Sequence, residues 1–405
     1  MGKQEFLIIG DIRPYVLEVS QMNVLVIGAG MMGRAIALDL SRFSRFKEIT
    51  VADKDARTRT SASGFLKGCR VKLMKLDVKD TSQVKKCYKC NDVVISAVPY
   101  QYNYSLAKLA VESRVHFIDL GGNNDIVRNE RRLSKQARHQ EVTIIPDSGL
   151  APGLVSIITR DIVDHMEAVD SVKLRVGGLP RNPQPPLDYQ IVFSPYGLIN
   201  EYVEDAMVLD HGRILLKKSM TELEHLKFPK PFGTMEAFLT SGGCSTLPYT
   251  YKKRIGYLDY KTIRYPGHCA KINALLELGL VEETKIKVGG ATISPKDIFV
   301  SLLTTHVPTK GEDVVLVKVL SSGRVRGEQV KREYLLIDYY EKQSGTTAMM
   351  RTTGYPVSIT AQMIENGTIQ QHGVWCPEEI VPPKTFFMEL QKRDINIIIV
   401  HKQQG

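Results

Sequence analysis

The chain has 405 residues, 43% of them hydrophobic and 24% charged, with a formal net charge of +10. That balance is the one expected of a globular protein with two or three domains. No run of 18 apolar residues offers a membrane span, and the basic residues are dispersed rather than gathered in a stripe, so neither a membrane nor a nucleic acid is an expected partner.

The six cysteines, Cys69, Cys87, Cys90, Cys244, Cys269 and Cys376, are sparse. They read as thiols of a cytoplasmic protein. Cys87 and Cys90 form one CxxC, but no second pair lies at zinc-ribbon spacing, and no metal is expected.

Residues 1–21 hold a short apolar patch followed by Asp11, Arg13 and Pro14. This fits neither a signal peptide nor an amphipathic transit helix, and an N-terminal extension is expected. From 22 to 150, short β-branched runs alternate with helical patterns. "NVLVIGAG" reads as a strand and its turn, and "MGRAIALDLSR" as the helix that follows. "EITVADKD", "CRVKLMKLDV", "CNDVVISAV", "VHFIDLGG" and "EVTIIPDSG" supply five further strands. "NYSLAKLAVES" is a helix, and "RNERRLSKQARH" reads as the solvated face of another. Such alternation predicts an α/β fold with a doubly wound parallel sheet, a Rossmann domain.

After "GLAPGL" the texture changes. "VKLRVGGLP", "DVVLVKVLSS" and "QVKREYLLIDYY" are long alternating strands, with "RNPQPPLD" a Pro-rich loop. They predict a second α/β domain over 151–350 with an open mixed or antiparallel sheet. "YPVSITAQMIENGTI" reads as a helix closed by Gly367, within a C-terminal segment, 351–405, that returns to the first domain.

Gly28, Gly30 and Gly33 give GxGxxG between a predicted strand and a predicted helix, and Asp53 ends the next strand. Gly28 permits the tight turn, Gly30 lets a pyrophosphate approach, and Gly33 lets the helix pack on the sheet. The backbone of Met31 and Met32 opens the helix, whose N-terminus attracts phosphate. Asp53 would accept from the adenosine ribose and repel a 2′-phosphate, so NAD is the expected cofactor, although Lys54, Arg57 and Arg59 follow closely. Asp77 is placed either at the adenine edge, with Val78, or as a turn former. "SAVPY" brings Ala97, Val98, Pro99 and Tyr100 over the nicotinamide side.

With these residues in place, the chain resembles the saccharopine dehydrogenase-like family, and among its branches the lysine 6-dehydrogenases. The resemblance runs from Met22 nearly to the C-terminus. It rests on "VLVIGAGMMG", "DVVISAVPYQYN", "HFIDLGGNN", "TIIPDSGLAPGL", "VGGLP", "PPLDYQIVFSPYGL", "EAFLTSGGCST" and "YKTIRYPGH" in order, with "MMRTTGY" near the end. It implies NAD-dependent oxidation of the ε-amine of L-lysine and, with the long strands after Asp313, a homodimer built through the second domain. Saccharopine reductases carry an aspartate where this chain has Ala151, and a cysteine where it has Val176. Both departures count against saccharopine as substrate. A saccharopine or carboxyspermidine-type reductase, and a non-catalytic NAD-binding protein, are the alternative readings.

An amine oxidation needs a cation for the substrate's α-carboxylate, a carboxylate for an amine, and a proton acceptor, because the protonated amine has no lone pair to push with. Arg264 is the expected carboxylate clamp, since guanidinium matches carboxylate in a bidentate way. Asp119, closing the fifth strand, is expected to hold or deprotonate an amine, with Asp147 the other acid on that edge. His268 is a candidate proton shuttle. Tyr189 and Phe193 are expected to wall the apolar stem of the amino acid.

Overall fold

The computed structural model describes residues 20–192 and 194–403. The N-terminal extension and Phe193 therefore lie outside the described residues. Six strands come first: β1 (Asn23–Ile27), β2 (Glu48–Asp53), β3 (Lys72–Lys75), β4 (Val93–Ser96), β5 (His116–Asp119) and β6 (Thr143–Ile145). They form one parallel sheet in the order β6-β5-β4-β1-β2-β3, extended beyond β6 by a late strand, Gly373–Val374. Val24–Ile27 and Val93–Ser96 are buried throughout, because helices cover both faces of a doubly wound sheet. The order reverses between β1 and β4, and the crevice at their carboxyl ends is where such folds bind ligands.

The second domain is built on β7 (Ala168–Pro180), β8 (Ala206–Asp210), β9 (Arg213–Lys217), β10 (Glu224–Lys227), β11 (Thr234–Leu239) and β12 (Ile255–Arg264). A small hairpin follows, β13 (Ile286–Val288) with β14 (Ala291–Ile293), and then the long pair β15 (Asp313–Val325) and β16 (Glu328–Tyr339). The late strand of the first sheet is β17 (Gly373–Val374), and β18 (Ile398–Gln403) ends the described chain. The large sheet runs β10-β11-β12-β7-β15-β16-β18, with β8 and β9 branching from β12. β12 and β7 are parallel and the other pairs antiparallel, so the sheet is mixed.

The long C-terminal helix spans Ala348–Glu365, beginning about two turns before the segment expected to be helical. Thr347 caps it by accepting from the Met350 N–H. It crosses the helix Met31–Phe43 at Gly354, where an added Cβ would come within 2.9 Å of Ala35 Cβ. Arg393 closes the contact with a buried bidentate pair to Asp39, at 2.7 and 3.0 Å. The segment thus returns to the first domain, except that β18 crosses over and pairs with β16. Backbone pairing along the open edge of β16 draws the last strand there. Among the described residues, no helix is long and apolar enough to cross a membrane.

Candidate active site

The glycine-rich turn explains its own composition. Gly28 has φ +105°, and a Cβ there would lie 2.5 Å from the Ala97 carbonyl oxygen. A Cβ on Gly33 would lie 1.8 Å from the Gly28 oxygen. Gly30 differs: nothing lies within 4 Å of its Cβ position, so the backbone faces open space. The helix begins at Met31 with no side-chain cap and no acid in its first turn. Unpaired N–H groups beside open space suit a pyrophosphate.

Beside the turn lies a cleft of about 220 Å³ lined by Gly28, Asp53, Lys54, Val78, Val98 and Pro99, among others. Asp53 Oδ2 accepts from Ala29 N–H at 2.9 Å and Oδ1 from Asp55 N–H at 2.9 Å. Each oxygen keeps a lone pair for a hydroxyl donor. Lys54 lines the same cleft, and Arg59 donates to the Asp53 backbone carbonyl at 2.7 Å. Asp77 takes the turn-forming alternative: its Oδ1 accepts from Lys79 N–H at 3.1 Å, and Val78 rather than Asp77 lines the cleft.

The carboxyl ends of β5 and β6 carry the acids. Asp119 is fully buried; Oδ1 accepts from Gly121 N–H at 2.7 Å, and among the described residues Oδ2 has no donor other than a protonated Glu130. Asp147, also buried, sits at φ +60° just after β6. Its Oδ2 accepts from the Ser245 hydroxyl, and its Oδ1 is unpartnered. Gly121 makes the room, since a Cβ there would fall 2.0 Å from Asp147 Oδ1. Tyr100 opens the short turn Tyr100–Tyr102 over this edge, its ring 3.2 Å from the Cβ position of Gly122.

Two more buried acids join them. Glu130 comes from the helix Asn124–Arg131, inside the run that reads as a solvated face. It is fully buried with neither oxygen partnered to a donor, so that reading is corrected: Val127 and Glu130 turn inward while the arginines stay outside. Glu378 accepts from Thr246 Oγ1 at 2.7 Å and Thr250 Oγ1 at 2.9 Å, leaving Oε2 unpartnered.

Burial pushes all four carboxyls up. Burial, opposed by the Ser245 hydroxyl and reinforced by Asp119 and Glu378, brings Asp147 to about 8. Burial beside Asp119 and Asp147 takes Glu130 well above the carboxylate range, so it holds a proton at neutral pH and can donate it to Asp119. Among the described residues, no group of three or more His, Cys, Asp or Glu side chains is arranged to hold a metal ion.

Arg264 ends β12 and is buried. Its Nε donates to Tyr202 Oη at 3.1 Å and its Nη1 to the Ile263 carbonyl at 2.9 Å. The guanidinium lies over the ring of Tyr189, 4.6 Å from the centroid. Among the described residues no carboxylate lies within 4.0 Å of it. Tyr189 is buried with an unpartnered hydroxyl.

His268 occupies a different place from that of a shuttle. Its Nδ1 meets the Leu187 carbonyl at 2.9 Å and its Nε2 meets Tyr202 Oη at 3.1 Å. Burial and nearby Arg264 lower its pKa to about 3, so the ring stays neutral. With both nitrogens engaged it orients Tyr202, and through it Arg264. The ring nitrogens are engaged by Leu187 and Tyr202, not by Asp119 or Asp147, and burial keeps the ring neutral.

The loop after β11 links the two groups. The Ser241 N–H donates to the Glu201 carbonyl at 3.0 Å, Gly243 packs against the ring of Tyr260, and Ser245 and Thr246 reach Asp147 and Glu378. Sequence reading missed Glu130, Glu201, Ser245 and Glu378. The sequence does show Ser245 in "SGGCST" and Glu378 in "CPEE", but nothing local says which acid turns inward.

The saccharopine dehydrogenase NADP binding domain matches residues 24–145, and the saccharopine dehydrogenase C-terminal domain matches residues 149–395. The saccharopine dehydrogenase (NADP+, L-glutamate-forming) of Saccharomyces cerevisiae is 22% identical, covering 88% of this chain and 93% of its own. The mitochondrial alpha-aminoadipic semialdehyde synthase of Mus musculus is also 22% identical over 90% of this chain, which spans 46% of that longer protein. A solved structure of the Saccharomyces cerevisiae enzyme superposes with a TM-score of 0.78 at 20% identity, covering 94% of this chain and all of that one, and so shares its fold. The two matched domains take up nearly the whole described chain in the order its sheets follow, and the chain belongs to the saccharopine dehydrogenase family.

Proposed function

We propose that this family oxidoreductase carries out NAD-dependent oxidative deamination of the ε-amine of L-lysine. The overall change joins L-lysine, NAD+ and water to give allysine, ammonia, NADH and a proton. Allysine then closes on its own α-amine, losing water, to 1-piperideine-6-carboxylate. The observation that carries the reading is a complementary pair of vacant valences. Among the described residues, Arg264 is a buried guanidinium without a carboxylate partner, while Asp147 keeps a buried oxygen without a donor.

The open backbone at Gly30, the free helix N-terminus and the cleft beside Asp53 fit a dinucleotide. NAD bound there would accept the hydride. The rest belongs to the side chains. Arg264 holds the α-carboxylate, and Tyr189 walls the aliphatic stem. Asp147, with a pKa of about 8, is the base matched to neutral pH, and takes a proton from the ε-ammonium. Asp119 holds the resulting amine, kept company by the proton on Glu130. Ser245 orients Asp147, and His268 orients Tyr202 against Arg264. Phe193 stays an expectation.

A second reading has support of its own. Relatives carry NADP and saccharopine in their names, and Lys54 lines the cleft where a 2′-phosphate would need a cation. Ala151, which offers no carboxylate, favours lysine over the larger substrate.

The test of the lysine reading compares L-lysine with cadaverine, which lacks the carboxylate, in wild type and Arg264→Ala. Wild type should prefer lysine by roughly 30-fold or more in kcat/KM, and the variant should lose most of that preference without weaker NAD binding. Equal use of both amines by wild type would contradict the assignment of Arg264.

A further inference from the structure

We propose that Glu201 is the seat of the substrate's α-ammonium, so that Glu201 and Arg264 together recognise the zwitterionic head of an L-amino acid. The inference rests on the reading of this pocket as an amino-acid site and adds a specificity residue to it.

Glu201 lies on the helix Pro195–Val203, which Ser194 caps by accepting from the Gly197 N–H. It directly precedes Tyr202, whose hydroxyl accepts from Arg264. The Glu201 carbonyl holds the loop that carries Ser245 to Asp147. Its position is therefore set from three sides: its own helix, the end of β12, and the loop between the domains.

The carboxylate itself is left free. Among the described residues it makes no hydrogen bond and no ion pair within 4.0 Å. It is half-buried, yet its surroundings are crowded enough that burial raises its pKa to about 7, against the pull of Arg264 and with a push from Glu204. Its charge is felt by Tyr189, Tyr260 and Arg264, the groups around the clamp.

No ion pair within 4.0 Å joins Glu201 to Arg264, whereas a structural charge-assisted pair sits at roughly 2.7–2.9 Å. Here they stay apart. Each keeps its ligand-binding face, one cationic and one anionic, and the two sum to zero. That is the complement of a zwitterion: carboxylate to Arg264, ammonium to Glu201. An amine without an α-carboxylate, or a carboxylic acid without an α-amine, fills only half of it.

The test uses 6-aminohexanoate, which is lysine without its α-amine and keeps every other expected contact. Calorimetric titration of both ligands into NADH-saturated wild type and Glu201→Gln reads the subsite directly. Wild type should bind L-lysine roughly 30-fold more tightly than 6-aminohexanoate. Glu201→Gln should bring the two affinities within a few fold by weakening lysine alone. Retained binding of 6-aminohexanoate by the variant reports an intact pocket. If Glu201→Gln weakens both ligands equally, or leaves their ratio as in wild type, the inference fails while the lysine reading stands. If wild type binds neither ligand, the substrate reading fails and the inference falls with it.

Discussion

The Ser245 hydroxyl donates to Oδ2 of Asp147, joining a loop of the second sheet to the carboxyl end of β6 in the first. This bond stabilises the ionised form of a carboxyl that burial otherwise drives toward its neutral form. Ser245→Ala removes it, so the Asp147 pKa rises. A base must be ionised to act, and the acidic limb of kcat/KM should move to higher pH. Losing a hydrogen bond to a charged group costs about 1.5–3 kcal/mol, which is about one to two pH units or a 10- to 100-fold loss near neutrality. The measurement is the pH profile of both proteins. An unmoved limb would remove Asp147 from the role of base.

Gly121 has φ +74°, and the Cβ of Gly121→Ala would point at Asp147 Oδ1. The backbone strain is on the order of 1–3 kcal/mol, and displacing the carboxylate by even 1 Å can cost roughly 100-fold in rate. Activity should fall by about that factor while thermal melting stays cooperative with a lower midpoint. Near-normal kcat would show that the Gly121–Asp147 contact has no bearing on the chemistry.

Asp53 is proposed to select the dinucleotide. Asp53→Ser removes the acceptor for the ribose hydroxyls and the charge that repels a 2′-phosphate, leaving Lys54 and Arg59 beside the cleft. The ratio of NADP to NAD use, in kcat/KM, should rise by at least about 10-fold. A wild type that already uses NADP as well as NAD would instead support the second reading.

Assembly through the second domain is the fourth expectation. The edge strand β18 leaves Ile398, Ile399 and Val400 exposed, and Tyr339 at the end of β16 is exposed as well. Sedimentation should give a homodimer at micromolar protein. A monomer under those conditions would contradict the proposal.

The fold was legible where periodicity and glycine spacing carry it. Val24–Ile27 leads into Gly28, Gly30 and Gly33, whose steric jobs follow from spacing alone, and β16 alternates over its second half, whereas β7 and β15 at the centre of the sheet are buried continuously over Leu174–Pro180 and Asp313–Val319. Asp119 and Asp147 could be placed on the ligand-binding edge because strands end in known directions. Glu130 could not, because its helix is amphipathic and one residue's turn decides between solvent and the acid cluster. Glu201, Ser245 and Glu378 meet their partners only through tertiary packing across distant segments. For His268 the residue type alone suggested a shuttle, while its two partners, the Leu187 carbonyl and the Tyr202 hydroxyl, are brought to it only by the fold.

The central claim is oxidation of lysine at its far amine. Purified protein incubated with NAD and L-lysine alone should form NADH and ammonia in equal amounts, with the product trapped by an aldehyde or cyclic-imine reagent. Saccharopine with NADP, measured in parallel, should give little turnover. Rapid reduction of NADP by saccharopine, with no NADH or ammonia from lysine, would contradict the account.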